Sequence, residues 1–194
     1  MTIRKIFKDI LCVDVEIDNS SSKVVPRCLQ LVYEADRRLS TSILQTDIKI
    51  LPFDKYYQLD GKTIFAEESQ CVVMWGFVEC SDNSKCFQVV NNEPLEYYEE
   101  DDTLEAVLCG MIATNILSCD LVKFWFSTEL TDGQLSKLTG LGIEKCGVLS
   151  NVQTFIYKSV VCNVEVEQPI RLNAASQSNS DLDEFKALLK ECQA

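Results

Sequence analysis

Apolar positions near the N-terminus form two stripes with helical spacing. They recur over 3–11 and again over 29–39, and Pro26 stands where a proline often begins a helix. Between the stripes, apolar and polar residues alternate over 12–17, as in a half-buried strand, and 18–22 has the composition of a turn. We therefore expect a helix, a strand, a turn and a second helix in this part of the chain.

The centre of the chain is dominated by strand-forming runs. Residues 63–66 and 71–78 are rich in β-branched and aromatic side chains and flank a polar stretch at 67–70, which is the pattern of a β-hairpin. Two further runs of this kind lie at 86–90 and 95–98. These segments predict an antiparallel meander of about four strands.

The stretch 102–117 predicts the central helix of the core. Asp102 is expected as its N-cap, with Glu105 three residues on, and apolar side chains cover most of its circumference. Farther along the chain we expect an aromatic strand at 121–126, a helix at 131–141 that ends at Gly140 and Gly142, and strands within 148–166. The predicted fold class is α+β, with a mainly antiparallel twisted sheet, helices packed on one face and a C-terminal helix.

The composition changes near residue 172 and predicts three parts. Residues 1–171 form the α+β domain, 172–180 are small and polar and form a mobile linker, and 181–194 form an amphipathic helix capped by Ser180. This helix either covers its own domain or grips a partner or a second copy. The first alternative is favoured, because an exposed apolar stripe is a liability in a monomer.

Two short motifs carry a resemblance to a known family. The sequence FAEESQCVVMWG ends at Gly76, and NEPLEY follows about fifteen residues later, beginning at Asn92. Over roughly 26–117 the chain resembles the SUKH superfamily, although Ser69 replaces a usual asparagine and Leu95 a usual valine. The resemblance implies an immunity protein that binds and blocks an intracellular toxin of a polymorphic or contact-dependent toxin system.

The residues needed for common catalytic mechanisms are missing from the sequence. There is no histidine, no glycine-rich phosphate-binding motif and no kinase-like set of residues. Glu67 and Glu68, like Glu99 and Glu100, are adjacent in predicted turns or strands, where neighbours point to opposite faces and do not form a catalytic dyad. We expect no enzyme activity, no catalytic residues, no cofactor and no bound metal.

Composition also limits the class of partner. The formal net charge of −12 argues against nucleic acid and anionic membrane surfaces, because both attract lysine and arginine. A basic protein partner is favoured electrostatically, while solubility alone remains an alternative explanation of the charge. Charges interrupt the apolar residues of the N-terminus, and no apolar stretch approaches the roughly 20 residues of a membrane span. The expected location is the cytoplasm.

The ten cysteines are scattered, mostly inside apolar runs, and none occurs in a C-x-x-C motif. They are expected to be buried thiols in a reducing compartment. The alternative is a disulfide between Cys80 and Cys86, which flank a short polar turn.

A region without positive charge predicts the binding site. Between Lys85 and Lys123 there is no lysine or arginine, whereas acids accumulate beside two tyrosines. Tyrosine supplies rigid contact area and acids steer a basic surface, so a partner-binding face is predicted there. Its residues are Glu96, Tyr97, Tyr98, Glu99, Glu100, Asp101 and Asp102. The alternative is a solvated sheet edge whose acids discourage pairing, and Trp75 is expected in the core.

The function expected from these observations is the capture of a basic toxin domain by a monomer or weak dimer. A regulatory or scaffold protein that recruits a cellular partner through its C-terminal helix is the alternative from another class.

Overall fold

The computed structural model describes residues 2–17, 25–119, 121–138 and 143–192, and of Asp101 it describes the backbone alone. Its helices are α1 (Thr2–Lys5), which continues as a π-helical turn (Ile6–Ile10), α2 (Arg27–Asp36), α3 (Leu104–Leu117), α4 (Asp132–Leu138) and α5 (Asn179–Glu191), with a short 3₁₀ turn at Phe53–Lys55. Its strands are β1 (Ile48–Ile50), β2 (Tyr57–Leu59), β3 (Lys62–Glu68), β4 (Val73–Phe77), β5 (Lys85–Val90), β6 (Glu96–Thr103), β7 (Phe124–Leu130), β8 (Glu144–Leu149), β9 (Val152–Tyr157), β10 (Val160–Glu165) and β11 (Ile170–Ser176).

The predicted α+β class, its antiparallel strands and its C-terminal helix are confirmed. The strands form two sheets, where a single sheet was expected. The first has the order β1-β3-β4-β5-β6, with β2 also paired to β3, and the second has the order β7-β11-β10-β9-β8. The predicted hairpin is β3–β4, and Glu67 and Glu68, expected in its turn, extend β3.

Helix α3 packs against both sheets and lies at the centre of the larger hydrophobic core, as its all-round apolar surface predicted. Its N-cap is Thr103 and not Asp102, because the Thr103 hydroxyl oxygen accepts a hydrogen bond from the Ala106 N–H at 3.4 Å. The helix approaches β8 closely. A Cβ atom on Gly147 would lie 2.7 Å from the Ala106 carbonyl oxygen, so this contact requires glycine.

The segment expected as a linker at 172–180 is mostly regular structure, so that prediction was wrong. Strand β11 occupies its first part and pairs with β10 on one side and β7 on the other. Helix α5 then begins at Asn179, with Ser178 and not Ser180 as its N-cap. Its apolar face is buried on the second sheet through Leu182, Phe185 and Leu189, as the favoured alternative predicted.

The N-terminal elements differ in detail from expectation. Helix α2 has Pro26 as its N-cap and ends at Asp36, before the position that was expected. Residues 12–17 do not form the expected strand, although Val15 is buried. The turn expected at 18–22 and the helix end expected at Gly140 and Gly142 lie outside the described residues. None of the described helices combines the length and the apolar composition that a membrane-spanning helix requires.

Candidate protein-binding site

The predicted site residues all lie on β6, at one edge of the first sheet. Strand β5 pairs with it on one side, and within the described residues no strand pairs with its other side. Its C-terminal part lies beside β8 of the second sheet. The predicted binding face therefore lies on a sheet edge. The alternative interpretation, a solvated edge whose acids discourage strand pairing, requires the same position.

Strand alternation places the predicted residues on two faces of the sheet. Tyr97 lies on the outer face, where it packs against the small cluster of Ile64, Met74 and Val89. Glu99 is on the same face, since it lies opposite Phe87 in the register, and its carboxylate forms an ion pair with Lys85.

A cation joins the aromatic side chains of this outer face. The Lys62 ammonium lies 4.3 Å from the ring centroid of Tyr97 and 4.9 Å from that of Phe87. The Tyr97 hydroxyl donates a hydrogen bond to the Asp60 carboxylate, which raises the pKa of Tyr97. Lys62 and Asp60 of the same chain thus hold the Tyr97 side chain in place.

Glu96, Tyr98 and Glu100 face the opposite way. Tyr98 is 51% exposed and its hydroxyl donates to Glu96 at 2.5 Å. This hydrogen bond, followed by one from Asn92, lowers the pKa of Glu96. Glu100 accepts a hydrogen bond from the indole N–H of Trp75 at 3.2 Å. Trp75 is only 5% exposed and belongs to the core, as expected.

A bulge in β6 brings three of the predicted acids around one concavity. Phe87 pairs with Glu99 and Lys85 pairs with Thr103, so β6 advances four residues while β5 advances two. Extra residues of this kind re-aim side chains that regular alternation would separate. The concavity has a volume of about 200 Å³ and is lined by Asn83, Ser84, Lys85, Glu99, Glu100, Asp102 and Thr103.

The concavity carries more negative than positive charge. Three carboxylates face one lysine, Lys85, whose ammonium already pairs with Glu99. Glu100 also accepts a long hydrogen bond of 3.4 Å from the Ser150 N–H. Glu99 and Asp102 remain accessible from the solvent side, so a lysine or arginine side chain entering here would meet carboxylate oxygens.

A second concavity was missed by the sequence analysis. It lies on the second sheet beside the end of α3 and has a volume of about 440 Å³. We call it the polar cleft. Its lining consists of Asp47, Thr114, Leu117, Ser118, Trp125, Phe126, Val152, Asn163, Glu165, Asn173 and Ala174.

The register of three strands builds the floor of the polar cleft. Asn163 lies opposite Thr154 on one neighbouring strand and opposite Asn173 on the other. Asn163 is 5% exposed; its amide oxygen accepts from the Thr154 hydroxyl at 2.8 Å and its amide nitrogen donates to the Thr114 hydroxyl at 3.0 Å. The alternation within 160–165 could have indicated this cleft from the sequence, but Asn173 falls in the segment that was predicted as a linker.

The cysteines and the acids show no further site. Cys80 and Cys86 are not joined by a disulfide, so the alternative pairing is not formed. Within the described residues, no group of three or more cysteine, aspartate and glutamate side chains is placed to hold a metal ion.

Comparisons with protein-family models, with curated proteins and with solved structures yield no match to this chain.

Proposed function

We propose that this chain is a SUKH-like immunity protein of the cytoplasm, which binds a basic toxin domain in a stoichiometric complex and performs no catalysis. The observation that carries the proposal is the bulge in β6, which gathers Glu99, Glu100 and Asp102 around one acidic concavity at a sheet edge. The sequence resemblance to the SUKH superfamily supplies the class of partner.

Charge supports a basic partner. The net charge of −12 attracts cationic proteins over the distance of a Debye length, and complementary charges accelerate association more than they strengthen the final complex. At the concavity, carboxylates would receive the cationic side chain, and the exposed Tyr98 would add contact area elsewhere on β6. Recognition would then combine charged and aromatic contacts along β6.

The alternative, a scaffold that recruits a partner through the C-terminal helix, has no such support. The apolar residues of α5 that would have to face a partner are packed on the second sheet. Recruitment through them would require the helix to leave that surface and expose Phe185 to water.

The proposal predicts that the gene immediately upstream encodes a basic toxin domain, and that domain is the binding partner used in the test. The site variant is Glu99→Gln with Asp102→Asn, which removes two negative charges from the concavity. Glu100 is left unchanged because it bonds to Trp75, and its loss would disturb the core. The matched control is Glu16→Gln with Glu167→Gln, which removes the same charge from two exposed acids elsewhere.

Association rates are measured by stopped flow at low and at physiological salt. We expect the site variant to bind about tenfold more slowly at low salt, and the control to differ from the native protein by about twofold or less. Equal rates for the two variants would reject the concavity as the contact. Absence of binding by the native chain, or protection at far less than one equivalent per toxin, would reject the proposed function.

A further inference from the structure

Strand β7 is an outer strand of the second sheet with few of the usual protections against pairing. It pairs with β11 over its whole length in a continuous register, without a bulge. It contains no proline, and within the described residues no strand covers its other side. Such an edge presents a row of backbone N–H and C=O groups to any strand of suitable sequence.

The side chains of this edge are unusually apolar for an exposed strand. Trp125 is 76% exposed and its neighbour Phe124 is 36% exposed, on opposite faces of the strand. Trp125 also forms a wall of the polar cleft. Isolated surface hydrophobics need no explanation, but adjacent exposed aromatics on an open sheet edge are a feature of interaction surfaces.

The charges at the two ends of the strand are complementary to each other. Lys123 lies immediately before β7 and Glu129 near its end, both exposed, and among the described residues neither forms an ion pair. We propose that β7 pairs with β7 of a second copy of this chain, antiparallel about a two-fold axis at Phe126. Lys123 of each copy then faces Glu129 of the other.

The charges select this register. A two-fold axis perpendicular to the sheet must pass through a residue pairing with its own copy, which leaves few choices for a strand of this length. An axis at Ser127 would place Trp125 opposite Glu129 and leave Lys123 opposite the uncharged Thr131. The axis at Phe126 instead creates two identical ion pairs and joins the second sheets of both copies.

The other residue pairs that this register creates between the two copies are also compatible with dimerisation. Phe126 meets Phe126 of the second copy, a favourable aromatic cross-strand pair, and Trp125 meets Ser127. Lys186 lies 5.5 Å from the ring centroid of Phe126, and its charge is already offset by Asp183 at 3.1 Å. The two copies therefore do not bring unpaired lysines together on this face.

The test is a charge swap across the interface, read by sedimentation equilibrium between about 1 μM and 1 mM protein. Lys123→Glu and Glu129→Lys each turn both ion pairs into like-charge contacts, so each should raise the dimer dissociation constant by about tenfold or more. The double variant restores both pairs with reversed polarity and should recover native dimerisation. Lys55→Glu and Glu93→Lys, in exposed positions of the first half of the chain, are the matched controls.

The outcomes that support the dimer proposal differ from those that overturn it. Loss in each single variant with recovery in the double variant supports the proposal. A native chain that is monomeric up to about 1 mM, a dimer unaffected by the single variants, or a double variant no better than the singles would overturn it. None of these readouts involves a toxin, so the result is independent of the proposed function.

A second measurement covers the case in which a single variant does not fold. Hydrogen exchange of the native chain is compared at about 5 μM and about 500 μM protein. The amides of β7 should become slower to exchange at the higher concentration, whereas those of β6, an outer strand of the other sheet, should not change. Equal exchange of β7 at both concentrations would overturn the proposal.

Discussion

The side chain of Asn115 hydrogen bonds to both ends of the backbone at Ile48. Its amide nitrogen donates to the Ile48 carbonyl at 2.8 Å, and its amide oxygen accepts from the Ile48 N–H at 3.1 Å. A further hydrogen bond of 2.7 Å runs from the same nitrogen to the Ile43 carbonyl. All of these groups are buried, so one side chain of α3 satisfies three backbone groups of the segment that leads into β1.

Asn115→Leu should therefore be strongly destabilising. Leucine preserves the volume but leaves three buried backbone groups without partners, and we expect a loss of about 2–5 kcal/mol in the free energy of unfolding. Urea unfolding measures it. Asn91→Ala is the control, since that exposed amide makes one long hydrogen bond of 3.4 Å to Cys71, and it should change stability by less than about 0.5 kcal/mol. Comparable losses of unfolding free energy in Asn115→Leu and Asn91→Ala would contradict the stabilising role assigned to the Asn115 hydrogen bonds.

Gly147→Ala should disrupt the contact between β8 and α3. The new methyl group would lie 2.7 Å from the Ala106 carbonyl oxygen and 2.8 Å from the Gly110 nitrogen, both backbone atoms that move only with the helix. We expect a loss of about 1–3 kcal/mol in the same unfolding measurement.

Gly133→Ala, in α4, provides the opposite case. The nearest atom to a Cβ there is the Thr131 hydroxyl oxygen at 3.9 Å, so there is room for the methyl group. Alanine should stabilise the protein by up to about 1 kcal/mol, because it lowers the entropy of the unfolded chain and favours the helix. If the two alanine variants had equal stability, the close contact at β8 would not be the cause.

The attachment of α5 to the second sheet should depend on pH. Glu184 accepts hydrogen bonds from Lys158 at 2.5 Å and from Tyr157 at 2.6 Å, and these lower the pKa of its carboxyl. A folded-state pKa below the unfolded value stabilises the protein above the unfolded pKa, and this stabilisation is lost as the pH falls through the folded pKa.

Glu184→Gln should remove that dependence. Between about pH 6 and about pH 3, the thermal midpoint of the native protein should fall more steeply than that of the variant, so the two midpoints converge in acid. Glu191→Gln, an exposed acid on the same helix without an ion pair among the described residues, is the control. Parallel curves for native and Glu184→Gln proteins would refute the prediction.

The cysteines should fall into groups with different reactivity. Cys12, Cys71 and Cys80 are exposed, whereas six others are buried, and burial raises the pKa of thiols such as Cys86 and Cys162. A thiol reagent added to the folded protein should modify Cys12 and Cys71 about 100-fold faster than the buried sites, as peptide mass spectrometry would show. Cys80 should react more slowly than these two, because partial desolvation and the nearby Asp82 raise its pKa. In urea all ten should react. Equal rates in the folded protein would disprove the burial pattern.

Local sequence patterns predicted the elements whose burial is simple. The hairpin β3–β4 and the helix α3 were predicted because their apolar patterns match the surfaces they bury. The apolar face of α5 was also visible in the sequence, and its docking followed from the cost of leaving Phe185 in water.

Elements whose burial depends on distant partners were predicted poorly. The small, polar residues of β11 read as a linker, yet cross-strand pairing on both sides buries Ala174 and Ala175. The residues of 12–17 alternate like a strand but find no partner strand among the described residues. The division of the strands into two sheets could not be predicted, because no local sequence pattern records which strands pair.

The sequence located the acidic cluster along the chain but did not predict its geometry. The charge pattern identified the acids of β6, but a single face was expected where regular alternation places Tyr97 and Tyr98 on opposite sides. The bulge that gathers Glu99, Glu100 and Asp102 depends on the pairing with β5, which the sequence of β6 alone does not contain.

The position of α3 has a consequence for any attempt to divide the gene. Both sheets pack against this one helix. A fragment that stops before α3 and a fragment that starts after it would therefore each expose an apolar sheet surface to water. Expressed separately, such halves should aggregate. Two fragments produced together in one cell should recover the native fold only when the chain is divided so that one of them retains α3.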